Sequence, residues 1–286
     1  VLFPDILPVS EGEAVQPLSA MNPMFYMASV GLHRLNRRCR LALDGRKYSC
    51  LKTDIILPFT VFSHRSLLLR KLAGTSMNLQ LNKVKNLRIA VSFVDGVVVN
   101  PGETFSFWKL VGKPSKRRGF QRGLQLSFGK LVPMTGGGLC QLSNLLHWMV
   151  LHTELQVAER HRHSSDPFPD YRRHVPFGTG ATVFYNYLDF SFINNSTGSY
   201  QIKVWIEEEF LCGEIRCSVD KNISYSIAER NHRFVRRNTA VYRENEIWKL
   251  RQNTATASVE WEKCLFKNSA WVLYDTETVP VEVETE

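Results

Sequence analysis

Three consecutive glycines, Gly136, Gly137 and Gly138, run directly into Leu139-Cys140-Gln141-Leu142-Ser143-Asn144 and a helical period that continues to about residue 151. No other stretch limits the fold so tightly. A triple glycine marks a change of direction, and the residues after it repeat at about 100° per residue. On that spacing Leu142, Leu145, Leu146, Met149 and Val150 form an apolar stripe, and Cys140, Ser143, Asn144 and His147 gather opposite it. The pattern predicts an amphipathic helix with Cys140 in its first turn, turned away from the core. A thiol there lies near unpaired N–H groups and the positive end of the helix dipole, which favour thiolate over thiol. Gly136, Gly137 and Gly138, with Gln141 and Ser143, are then candidates for a loop that approaches substrate and holds an oxyanion. The opposing reading is that cysteine is a small hydrophobe, usually buried and inert.

The flanking sequence supplies strands and one more helix. Met77, Leu81, Val84, Leu87, Val91 and Val94 keep helical spacing between Ser76, a candidate N-cap, and Gly96, a breaker. Val97-Val98-Val99, the turn signal Asn100-Pro101-Gly102 and the alternating Thr104-Phe105-Ser106-Phe107 read as strand, turn, strand. Residues 124–127 and 130–133 flank Phe128-Gly129 as a hairpin before the glycine loop. Strands are expected over 157–163, 181–185 and 189–193, with a Pro/Asp-rich loop at 164–176. Residues 200–207 alternate cleanly and pair with 210–217 across Glu208-Glu209. The sequence around Phe234, Tyr242, Trp248, Trp261 and Trp271 is β-rich, 276–286 reads as a frayed acidic tail, and 66–72 as a short helix. The fold class is α+β, mainly antiparallel sheet with a few helices, one starting at the GGGLC loop. The expected organisation is 1–74 of unclear fold, a core over 75–218, and a β-rich region over 219–286.

Composition matters chiefly for partners. The 286 residues carry a formal charge of +9, with basic clusters at 113–122, 160–163, 172–174 and 230–237. Such charge attracts polyanions, but no zinc finger, basic zipper, RNP aromatics or GXXG clamp is present, so specific nucleic-acid binding is not expected. The longest apolar runs fall far short of the roughly 20 residues that span a bilayer. Acidic residues precede the apolar 24–32 stretch and basic ones follow it, the reverse of a secretory signal. On this reading the chain is cytoplasmic, although Val1 leaves its true start open. The six cysteines form no C-x-x-C pair and fit reduced thiols.

Between Asn100 and Cys217 the chain resembles the VanW family. The matching pieces are Asn100-Pro101-Gly102-Glu103-Thr104-Phe105-Ser106, Gly129-Lys130-Leu131-Val132-Pro133, Gly136-Gly137-Gly138-Leu139-Cys140-Gln141-Leu142-Ser143, Glu159-Arg160-His161-Arg162-His163-Ser164, and Ala181-Thr182-Val183 followed by Leu188-Asp189. The similarity begins upstream near Ser66 and points to the short, leaderless members found with vancomycin B-type resistance genes. It implies a role in glycopeptide resistance and peptidoglycan metabolism. Some longer members act outside the cell as L,D-transpeptidases with the glycine-loop cysteine as nucleophile, a role that passes to Cys140 by resemblance. The family histidine before serine corresponds to His163, the first-ranked general base. His161, two residues earlier on an expected strand, shares its face, and Asp189 is a candidate to orient either imidazole. His147 lies seven helical residues from Cys140, about 10 Å along the axis. Many longer members carry an aspartate before the Ala-Thr-Val segment, where this chain has Thr179-Gly180.

The leading expectation is cysteine acyl transfer on a stem peptide or peptidoglycan precursor, without cofactor. The alternative is a non-enzymatic accessory protein whose glycine loop recognises an anionic cell-wall precursor while Cys140 packs. A third reading makes His161, His163, His174 and Asp166 metal ligands; their spacing matches no known signature, and no metal is expected.

Overall fold

The structure, a computed structural model, describes residues 43–69, 76–127, 130–162, 165–166, 169, 175–277 and 279–283, with isolated positions between 31 and 39. The chain divides into two compact units, Val1–Gly45 and Arg46–Glu286. In the first, the described positions before Asp44 are helical, with Leu32, Leu35 and Leu43 exposed.

The second unit carries three helices and fifteen strands among its described residues. In chain order these are β1 (Lys47–Tyr48), β2 (Phe59–Leu67), α1 (Met77–Val94), β3 (Val98–Val99), β4 (Glu103–Ser106), α2 (Phe107–Val111), β5 (Arg122–Ser127), β6 (Lys130–Thr135), α3 (Cys140–Leu151), β7 (Gln156–Glu159), β8 (Ser165–Asp166), β9 (Ser191–Ile193), β10 (Tyr200–Glu207), β11 (Phe210–Cys217), β12 (Ile223–Arg237), β13 (Ala240–Asn253), β14 (Val259–Val272) and β15 (Val281–Val283). The fold is α+β with antiparallel pairing dominant. One sheet has the order β1-β4-β9-β7, a second β2-β11-β10-β3, a third β15-β12-β13-β14-β8, and β5-β6 is a separate hairpin.

The core lies where α1 and α3 meet the first two sheets. Leu87, Ala90 and Val94 of α1, Leu142, Leu145, Leu146 and Met149 of α3, Phe105 and Phe192 of the first sheet with Phe190 just before β9, and Ile202, Val204, Leu211 and Ile215 of the second are all buried in it. Each large apolar side chain buried this way contributes about 1.5–3 kcal/mol. The β10–β11 hairpin follows the predicted alternation, with Tyr200 opposite Cys217 and Glu207 opposite Phe210, and α1 begins after Ser76 as its spacing dictates.

Four local expectations are corrected. Ser66 and Leu67 end strand β2, antiparallel to β11, instead of starting a helix, because Phe59 to Leu67 completes the edge of the core sheet. Phe107 opens a short helix, capped when the Ser106 side chain accepts from Lys109 N–H. Residues 181–185 form no strand beyond an isolated bridge of Phe184 to Leu188, for reasons given below. Val281 to Val283, expected to fray, pair in parallel with Phe234 to Arg236 of β12. The turn Phe128-Gly129 lies outside the described residues, and strands β5 and β6 pair on either side of it, Ser127 opposite Lys130.

Candidate functional site

The glycine loop exists because three neighbours press on it. Gly136 and Gly138 adopt φ of 81° and 96°, the left-handed region that favours glycine. A Cβ on Gly137 would lie 2.1 Å from the main-chain oxygen of Gly123 in β5, and one on Gly138 would lie 2.1 Å from Cγ of Lys83 in α1. The close approach that was expected for a substrate is therefore made by the protein itself. Asn86 of α1, fully buried, gives its amide to Gly137 O at 2.9 Å and Gln121 O at 3.0 Å and accepts from Gln121 N–H at 2.7 Å. Gln141 turns the other way and donates to Ser66 Oγ and Leu67 O at 2.9 and 2.8 Å, tying the first turn of α3 to β2. Among the described residues the N–H groups of Gly138, Leu139 and Cys140 donate to no main-chain carbonyl outside the helix, the ordinary state of a helix start.

The polar stripe of α3 does not face solvent. Ser143 and His147 are fully buried, Cys140 is half-buried, and of the four only Asn144 is exposed. What covers them is the segment 178–183, which crosses the helix as a strap. Cys140 Sγ–H donates to Val183 O at 3.6 Å, Ser143 Oγ to Ala181 O at 2.7 Å, and Asn144 Oδ1 accepts from Ala181 N–H at 2.7 Å. His147 Nδ1 lies 2.6 Å from Thr179 O, which fixes the proton on Nδ1. From the far side, Arg160 donates to Gly178 O and, at 2.9 Å, to Gly180 O, and Thr182 N–H donates to His161 O at 2.8 Å. A buried irregular segment must satisfy its main-chain groups somewhere. This one does so mainly on side chains, with Thr182 N–H on His161 O, and so the strand expected over 181–185 does not form.

Burial decides the electrostatics of this zipper. Loss of solvent pushes the Cys140 thiol above its ordinary value, and the backbone hydrogen bonding of Val183 and of Cys140 itself only partly opposes this. The helix start does not yield the thiolate that its position alone predicts, because desolvation disfavours charge more than the helix end stabilises it. His147 is held neutral, its pKa lowered to about 3 by burial and then by the Arg160 guanidinium. Its Nε2 has no hydrogen-bond partner among the described residues. Burial also lowers Arg160 to about 10, and its guanidinium lies 4.1 Å from the centre of the Phe266 ring of β14.

The remaining candidates separate. His163, ranked first as base, lies outside the described residues, as does His174. His161 is described: its Nε2 is 3.0 Å from Glu159 Oε1, which also accepts the N–H of Asp189 at 3.0 Å. Glu159 thus holds a histidine two residues along the same segment, a pairing that the period-two spacing of the two residues could have signalled. Asp189 is buried. Its Oδ1 accepts from Trp108 N–H at 3.0 Å and Phe190 N–H at 2.9 Å, and its Oδ2 accepts from the Ser106 hydroxyl. These bonds cap α2, where a carboxylate also suits the helix dipole. Asp166, once weighed as a metal ligand, is buried against Arg243 at 3.2 Å and accepts from Tyr274 OH at 3.2 Å. Among the described residues no three His, Cys, Asp or Glu side chains converge as a metal site.

Within the 230–237 cluster three arginines are paired with carboxylates. Arg230 pairs with Glu262, Arg233 with Glu244 and Glu282, and Arg237 with Glu244. Carboxylates on the neighbouring strands β13, β14 and β15 offset part of what a linear charge count reads as a basic patch there. Among the described residues no helix is long and apolar enough to cross a membrane.

The Vancomycin B-type resistance protein VanW of Enterococcus faecalis (strain ATCC 700802 / V583) is 32% identical over 234 residues, which cover 82% of this chain and 85% of that protein. The Uncharacterized protein YoaR of Bacillus subtilis (strain 168) is 36% identical over 110 residues, 38% of this chain and 34% of its own length. No solved structure matches significantly. The family model described as VanW like protein matches residues 82–216, which run from α1 through the glycine loop, α3 and the strap to β11, and with the long relative this establishes that the chain belongs to the VanW family.

Proposed function

We propose that this protein serves glycopeptide resistance by acting on peptidoglycan stem peptides, with Cys140 as the nucleophile of an L,D-transpeptidase-type acyl transfer. The observation that carries the reading is the company Cys140 keeps. The thiol opens α3 beside the N–H groups of Gly138 and Leu139, and the atom its Sγ–H reaches is a peptide carbonyl, Val183 O, at 3.6 Å. The family relationship to a resistance protein supplies the cell-wall context.

In this reading the sulfur attacks the carbonyl carbon preceding the terminal D-amino acid, and the N–H groups at the helix start receive the oxyanion. The C–N bond to the D-amino acid breaks, and its nitrogen takes the proton that left the thiol through a histidine of the 161–163 pair. An acceptor amine then attacks the thioester and returns the thiol. Because the resting thiol is protonated and covered by the strap, 178–183 shifts away from Cys140 before acylation. Glu159 orients His161, and Asp189 supports the site through α2 and the Glu159 carboxylate.

A second reading is favoured by the desolvated thiol: an accessory protein that binds the precursor without forming a bond to it. Intact-mass spectrometry of the wild type and Cys140→Ala, each incubated with a stem tetrapeptide, separates the two. An adduct lacking the terminal residue on the wild type alone is expected. Binding of the peptide with no adduct would replace acyl transfer with the accessory role.

A further inference from the structure

A second polar feature lies outside the Cys140 zipper. A polar cleft of about 640 Å³ opens on the third sheet, lined by Arg233, Glu244, Glu246, Lys267, Asn268 and, from the segment beyond β7, Arg162. It sits at the bulge of β12, where pairing with β13 slips between Arg230 and Arg233 and Asn231 takes φ of 53°. A bulge re-aims side chains, and a non-glycine residue held at positive φ marks a place where the surroundings over-determine the backbone.

Its charges are unequal in how firmly they are held. The two carboxylates of β13 are anchored: Glu246 accepts from Trp248 Nε1–H at 2.9 Å, Glu244 from Ser269 Oγ at 3.1 Å and Arg237 at 2.8 Å, and their side chains are 14% and 16% exposed. The cations facing them are not. Lys267, 2.6 Å from Glu246, is 76% exposed, and Arg233, 3.0 Å from Glu244, is 47% exposed. Solvent-exposed ion pairs of this kind hold their long side chains weakly. An incoming ammonium can take the place of Lys267 on Glu246, and a ligand carboxylate can meet the displaced Lys267 or Arg233. A purely anionic ligand would meet the fixed carboxylates, and a purely cationic one would take Glu246 from Lys267 without supplying a replacement carboxylate.

We infer that this cleft is a binding site for a zwitterionic peptide, one carrying a free side-chain amine and free carboxylates, and that it seats a second stem peptide near the Cys140 zipper. The linkage is structural. Arg162 donates to Lys267 O at 3.4 Å and to Asn268 Oδ1, and Asn268 and Asn245 both donate to Phe177 O, one residue before the strap. The inference rests on the stem-peptide reading above but not on acylation.

The test is calorimetric titration of the full chain carrying Cys140→Ala with a lysine-containing stem tetrapeptide, its Nε-acetylated form, its C-terminal amide, and tripolyphosphate. Expected is binding of the free peptide, at least tenfold weaker binding of each masked form, and weaker binding still of tripolyphosphate. Glu246→Gln should weaken the free peptide to the level of the acetylated one and leave the acetylated one unchanged. Equal binding of all three peptides, preference for tripolyphosphate, or no binding would overturn the inference. The analogue series needs no further substitution, so a variant that misfolds does not blunt it. Binding here without a Cys140 adduct in the wild type would sink only the acyl transfer, and an adduct without binding here would sink only the cleft.

Discussion

Two polar regions of the same chain behave in opposite ways. On α3, Cys140, Ser143, Asn144 and His147 spend their polar atoms on the strap 178–183. On the third sheet, Arg230, Arg233 and Lys267 pair with carboxylates while still facing water. The residue types are those that a sequence reader flags as functional in both places. Burial separates them. A buried polar atom costs most when its partner is removed, whereas an exposed ion pair is worth about 0–1 kcal/mol and is readily exchanged. The zipper is therefore a structural commitment in which the Cys140 thiol takes part, and the sheet is a surface still free to trade partners.

The largest break in this comparison is expected in acid. In the folded chain His147 titrates at about 3 instead of near 6.5, and His152, stacked on Phe62 and bonded to Trp148 O, at about 4. The unfolded state takes up these protons first, so the stability they contribute is complete above about pH 6.5 and falls as pH drops toward 3. The slope approaches about 1.4 kcal/mol per pH unit for each group. Urea unfolding between pH 7.5 and 4 should show this decline, steeper than in a variant carrying His147→Asn at the same pH values.

Smaller effects should sharpen the contrast. Ser143→Ala leaves Ala181 O without its donor and Asn144→Ala leaves Ala181 N–H without its acceptor. Each should cost about 1–3 kcal/mol in urea unfolding. Glu262→Ala removes a 2.6 Å ion pair with Arg230, yet both side chains are about two-fifths exposed, and the expected loss is at most about 1 kcal/mol. Equal losses at the two regions would erase the distinction.

Much of the fold was legible because it is local. The alternation of 200–217, the helical spacing of 77–94 and the apolar stripe of α3 each answer to a repeat within a few residues, and each appears where the repeat places it. The polar stripe was misread as exposed because its partner lies some 40 residues ahead in irregular backbone, where no period announces it. For the same reason β2 and β15 escaped notice: their strands are fixed by pairing with β11 and β12, not by their own pattern. Cys140 was legible as a residue, and its thiol state was not. A helix start argues for thiolate, and only the strap reveals the desolvation that outweighs it.

The account turns on that thiol. Alkylation of Cys140 by iodoacetamide, followed from pH 6 to 10 and read by peptide mass mapping so that the exposed Cys39 and Cys50 serve as internal references, tests it most directly. Cys140 should react more slowly than both at every pH, reach half its maximal rate at a higher pH, and accelerate when Asn144→Ala loosens the strap. Full reactivity at neutral pH, ahead of Cys39 and Cys50 and indifferent to Asn144, would contradict the buried, strap-covered thiol.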